Sequence, residues 1–313
     1  MRPARSSRSL LAALAVLTVG CHASTSSAHQ PSPVPKPATS GPTSSTPGRS
    51  ASASTTSSTP TSTIVLATRP SGGPSSAADA AQSLTAVEQA IRDPTTPPDR
   101  IAPLAAAQQL GYRSLAANPD WVPAVLAAVP VALRAAVQAN ITAGGELGLI
   151  PGPTPAAIPA WSILTPAPAA QLLADYHDAA AMAGVPWTVL AAIHLVESRM
   201  GRIRGPSTAG AQGPMQFLPS TWATYGAGGN IDDDRDAIFA AARLLAASGA
   251  PTTISTALFQ YNHSTHYVRA VLAYASVMDA DERAYLGYHG WQVYVSTASG
   301  TWLLPEGYRS PQT

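Results

Sequence analysis

The chain has 313 residues, 18 of them Lys or Arg and 17 Asp or Glu, and only 11% of residues are charged. So neutral a balance argues against a dedicated nucleic-acid binder, which needs clustered basic residues. One cysteine, Cys21, leaves no disulfide framework and no cysteine metal site within the chain.

In chain order, Arg2, Arg5 and Arg8 precede the apolar run LLAALAVLTVG. That is the pattern of a secretory signal over residues 1–21, too short for a comfortable membrane span. The segment LTVGC resembles a bacterial lipobox, with Thr18 where the motif usually carries leucine. It implies lipidation of Cys21 and anchoring by several acyl chains on the outer face of the cytoplasmic membrane. The alternative is an ordinary signal peptide with a stray cysteine at its end. Residues 22–74 are dominated by Ser, Thr and Pro. Without an apolar face to bury, they read as a disordered linker. About 40 flexible residues span roughly 35 Å, enough to carry a domain off a membrane.

Residues 75–159 read as a helical flanking region. SSAADAAQSLTAVEQAIR and PDRIAPLAAAQQLGYRSLAA carry apolar residues at helical spacing. A further helix holds Trp121, with Asn118 or Asp120 as its expected cap. The proline-rich GLIPGPTPAAIPAW then crosses as extended chain. Residues 160–313 read as a compact domain. Two helices are expected in PAPAAQLLADYHDAAAMAGV and PWTVLAAIHLVESRMG, with Pro186 in the first turn of the second and Gly201 as its cap. Further helices follow in DDRDAIFAAARLLAASG, TTISTALFQYN and THYVRAVLAYASVMD. WQVYVSTASGTWLLP alternates around SGT and predicts a small β-hairpin. The expected fold is mainly α with that minor β element near the C-terminus.

In VLAAIHLVESRMG, Leu190, His194 and Glu197 form a stripe beside the apolar Val189, Ile193 and Val196. Glu197 is thus expected at the edge of the buried face, one turn from the helix C-terminus. Partial burial and the negative helix end both disfavour its anion. A glutamic acid that keeps its proton near neutral pH is what general-acid chemistry on a glycosidic oxygen requires. The plainer alternative is a solvated residue pairing with Arg202. His194 reads more readily as a packed histidine than as a base.

Three blocks in order, AAIHLVESRMGRIRG, STAGAQGPMQFLPSTW and ALFQYNHSTHYV, resemble those of the lysozyme-like lytic transglycosylases. They are most similar to the secreted murein transglycosylases of high-GC bacteria. The resemblance covers about residue 160 to the end and implies a lysozyme-like catalytic domain. It places the catalytic acid on Glu197 and the serine that follows it on Ser198. The Gly-X-Met-Gln turn falls on Gly213, Met215 and Gln216, the glutamine reaching the sugar and the glycine keeping the backbone clear of it. A second serine falls on Ser207, where the stretch SRMGRIRGPS departs from the commonest pattern. The Tyr-Asn pair falls on Tyr261, near the catalytic carboxyl, and Asn262, on substrate. The implied reaction cleaves the MurNAc–GlcNAc β-1,4 bond of peptidoglycan without water and leaves 1,6-anhydro ends. One carboxyl suffices for it, whereas hydrolases generally use two. The alternatives are a lysozyme-like hydrolase or a non-catalytic glycan-binding lipoprotein. No cofactor is implied, and the expected partners are glycan strands, the membrane, and cell-wall or division machinery.

Other residues carry weaker signals. NIDDDRDAIF offers oxygen ligands but lacks the glycine and distal glutamate of a calcium loop, so Asp232 to Asp234 read as a helix cap. Trp187, Trp222, Trp291 and Trp302 are candidates to stack on sugars, although such tryptophans are more often core. Arg202 and Arg204 read either as contacts to a glycan carboxylate or as a solvated pair, and His263 as a turn cap.

Overall fold

The computed structural model describes residues 65–250 and 252–311. The signal segment, Cys21 and the linker up to residue 64 lie outside the described residues. Among those described are eleven α-helices and two small antiparallel hairpins.

Helix α1, Ala77–Arg92, opens on Ser76, whose side chain accepts the Asp79 N–H. It buries Ala80, Leu84, Val87 and Ile91 at helical spacing. α2, Pro98–Ala117, starts on a proline, whose missing N–H costs nothing there. Neither expected cap before Trp121 forms. The Asn118 amide turns back to the Ser114 carbonyl, and a 3-10 turn over Pro119–Trp121 leads into α3, Val122–Ala128. α4, Val131–Gly148, follows Pro130.

The later helices are α5 (Ala169–Ala183), α6 (Trp187–Ser198), α7 (Pro219–Tyr225), α8 (Asp234–Ala247), α9 (Ile254–Tyr261), α10 (Thr265–Ala280) and α11 (Ala284–His289). They share one apolar core with α1–α4, in which Leu84, Leu115 and Val137 join Leu190, Ile193, Val271 and Tyr288. α10 packs against both α4 and α6. No helix among the described residues is long and apolar enough to cross a membrane.

α6 departs from the expected two-stripe helix. Every residue from Thr188 to Ser198 is buried, so it has no solvent face, as befits a helix with apolar residues nearly all round. Pro186 precedes it as N-cap. The C-cap is Arg199 rather than Gly201. Arg199, Met200 and Gly201 all adopt positive φ, at 55°, 58° and 78°. Gly201 has its own reason: a Cβ there would fall 2.5 Å from Asp234 Oδ1.

The C-terminal hairpin pairs β3, Val293–Thr297, with β4, Gly300–Leu304, in the expected place. Thr68 bridges to Leu303, and the Arg69 guanidinium lies 3.9 Å over the Trp302 ring. Pairing therefore begins ahead of residue 75. A second hairpin joins β1, Ser162–Ile163, to β2, Ile203–Arg204. Both hairpins cover a smaller core of Trp161, Ile163, Ile203, Val293 and Leu304.

Candidate active site

Glu197 is the penultimate residue of α6 and 8% exposed. Arg202 is not its partner: that side chain donates to the His289 carbonyl and pairs with Glu306. Arg199 donates to the Leu195 carbonyl. What Glu197 does receive is one hydrogen bond, from the Tyr267 hydroxyl to Oε1 at 2.8 Å. Burial lifts its pKa from 4.5 to about 8, against the smaller opposing pull of the Tyr267 donor. At neutral pH the carboxyl therefore holds its proton, for the reason the sequence suggested but with deeper burial.

Tyr267 is the residue that sequence reasoning missed. The Ser264 side chain accepts the Tyr267 N–H and caps α10, so Tyr267 sits in the first turn. The cap is therefore Ser264, while His263 is exposed and packs on Phe259. The Tyr267 ring stacks parallel to Tyr261, centroids 6.4 Å apart at 6°. Tyr261 was expected beside the carboxyl. Its hydroxyl donates to the Met215 carbonyl at 2.7 Å, and after burial the nearby Glu197 charge raises its pKa further, while the hydrogen bond to Glu197 comes from Tyr267. The one available signal was a tyrosine three residues past a serine able to cap a helix.

The Gly-Pro-Met-Gln stretch is the tip of a tight turn. Gln212 and Phe217 exchange both backbone hydrogen bonds at 2.9 Å. Gly213 has φ 73°, and a Cβ on it would lie 1.9 Å from the Ile231 carbonyl oxygen. The fold itself therefore requires that glycine. Met215 is fully buried, so only its carbonyl takes part, as the anchor for Tyr261. Gln216 sits half-exposed at φ 50°, its amide donating to the Gly213 carbonyl at 2.9 Å. Phe217 packs edge-on against Trp222 and Tyr261. Ser198 links this turn to α6: its hydroxyl donates to the Pro214 carbonyl at 2.5 Å and accepts the Gly201 N–H.

Glu197, the 213–216 turn and Tyr261 are thus joined through Tyr267 and Ser198. Ser207 stands further off, buried, with its hydroxyl accepting the Ala209 and Ala211 N–H groups and bracing the approach to the turn. Asn262 is 5% exposed at the end of α9, about as buried as Glu197.

The remaining candidates have structural roles. His194 is fully buried, with Tyr176 Oη 2.6 Å from Nδ1 and Asp234 3.4 Å from Nε2. Arg204 meets Asp234, so neither it nor Arg202 is a solvated pair. Asp233 caps α8 by accepting the Asp236 N–H. No cluster of three His, Cys, Asp or Glu side chains forms a metal site among the described residues. Trp291 is core, against Tyr274 and Tyr288, while Trp187 and Trp222 are partly buried.

The site offers one protonated carboxyl with a slight opening to solvent, one tyrosine donor on it, and a glutamine-bearing turn tied to both. Comparison of the chain with family models, curated proteins and solved structures returned no match.

Proposed function

We propose that this chain is an exported lytic transglycosylase with a lysozyme-like catalytic body, acting on peptidoglycan. The observation that carries this reading is Glu197: buried, unpaired with any cation, and protonated up to a pH of about 8. A carboxyl in that state donates its proton to the oxygen of a breaking glycosidic bond. After donation it is a buried anion, a strong enough base to take the proton back from the C6 hydroxyl. That hydroxyl closes on the anomeric carbon, and the product is a 1,6-anhydro end with no water consumed. Tyr267 holds Oε1 through its hydroxyl and fixes the orientation of the carboxyl in both steps. Gln216 is the polar side chain of the adjoining turn available to glycan. One carboxyl performs both proton transfers, where hydrolysis generally employs a second. The basic amino-terminal region, the apolar run and Cys21 support an envelope location with a tether through Cys21.

The test is digestion of purified cell wall followed by mass analysis of the released fragments. Anhydro-muramic ends, absent with Glu197→Gln, support the reading. Reducing ends alone indicate a hydrolase. Binding without release of fragments indicates a glycan-binding protein.

A further inference from the structure

Two residues past Glu197, the chain places a charge that the proposed reaction does not use. Arg199 is 5% exposed and lines a cavity of about 220 Å³ enclosed chiefly by α2, α4, α10 and the start of the C-terminal hairpin. Its Nη1 donates to the Leu195 carbonyl at 2.7 Å, while its buried Nε has no hydrogen-bond partner. Other sheltered arginines have their acids: Arg92 has Glu88, Arg202 has Glu306 and Arg204 has Asp234. No carboxylate lines the cavity around Arg199.

A second guanidinium, that of Arg113, is on the same wall, 4.2 Å over the Tyr294 ring. Burial lowers the Arg199 pKa, Tyr274 opposes that, and Arg113 and Arg202 add to it. The remaining wall is largely apolar, with Tyr112, Tyr274 and Trp291 among its members. Gly144 of α4 opens it further, since a Cβ there meets nothing within 4 Å. A buried cation without a partner is costly, and an anion brought in by a ligand offsets that cost.

We propose that this cavity is a second ligand site for a small monocarboxylate with an apolar or aromatic body, its carboxylate on Arg199 beside Arg113 and its body against Tyr112 and Trp291. The planar guanidinium fork suits a carboxylate, and an enclosed, mostly apolar pocket with few converging polar groups is the common form of a small-molecule site. Neither Glu197, Tyr267 nor Gln216 lines this cavity.

The experiment is calorimetric titration of the full chain with 3-phenylpropionate and, separately, with its uncharged analogue 3-phenylpropanamide. The acid should bind saturably, and the amide about tenfold more weakly, the worth of a charged hydrogen bond. Gly144→Leu fills the cavity without removing charge and should abolish binding of the acid. Arg199→Gln should abolish it too, with a thermal midpoint equal to or above that of the parent, because a buried uncompensated cation is gone. No saturable binding of the acid overturns the proposal. So does equal binding of acid and amide, or full binding of the acid by Gly144→Leu.

Discussion

Two buried glutamates in this molecule show how little burial alone decides. Glu88 of α1 is fully buried and surrounded by partners: Arg92 as an ion pair, the Tyr112 hydroxyl, and the Gln108 amide at 3.0 Å. Tyr112 in turn accepts from Asn140, whose carbonyl oxygen accepts from Tyr288, so the network ties α1, α2, α4 and α11 together. Glu197 of α6 is nearly as buried but has one neutral donor, Tyr267. The first carboxylate is satisfied and has no reason to react. The second keeps its proton, because burial penalises its anion and no cation offsets that penalty. What separates structural from chemical glutamate here is the company, not the depth.

The comparison breaks most visibly in activity. Glu197→Gln should lower release of wall fragments by about a thousandfold, the scale of lost general-acid catalysis, with the fold intact by circular dichroism. Glu88→Gln should leave release within a few-fold of the parent. In stability the order reverses. Glu88→Ala strands the Tyr112 hydroxyl and the Gln108 amide and leaves Arg92 only Asp281, 3.6 Å away, as its acid, and should cost about 3 kcal/mol in urea unfolding.

Glu197→Gln should be stabilising, with a definite pH dependence. The folded pKa is raised, so between 4.5 and about 8 the folded state binds a proton that the unfolded state has released. Stability of the parent therefore falls as pH rises through that window. Gln is spared that loss, a gain of about 3 kcal/mol at pH 7 that vanishes below pH 4.5. A flat difference across pH would show that Glu197 ionises normally.

The smallest effect is expected from Tyr267→Phe. Its hydrogen bond lowers the Glu197 pKa, so removing it moves the alkaline limb of activity, near pH 8 in the parent, upward. The accompanying loss of stability is about 1 kcal/mol. A limb that stays in place would assign Tyr267 to packing alone.

Much of the fold was readable because its signals are local. Ser76 and Asp233 are cap residues beside the donors they satisfy, and the SGT turn lies between its own strands. Glu197 and the 213–216 turn were likewise visible as residue types at a spacing. What was misread depends on distant chain. The demand that Ile231 makes on Gly213 comes from 18 positions further on. Arg202 looks like the partner of Glu197 until Glu306 claims it. The short hairpin of residues 162–163 and 203–204 joins strands too brief to show alternation.

The sequence by itself determined most of the helices, the Asp233 cap and the candidate acid's place near a helix end, because these follow from neighbours within a turn or two. The tertiary structure alone decided which tyrosine faces that acid. The motif names Tyr261, and the bond from Tyr267 rests on α10 wedged against α4 and α6, bringing residue 267 to residue 197 across 70 positions of chain. It alone also set the protonation of Glu197, since burial on every side of α6 is a property of the packed core and not of the helix.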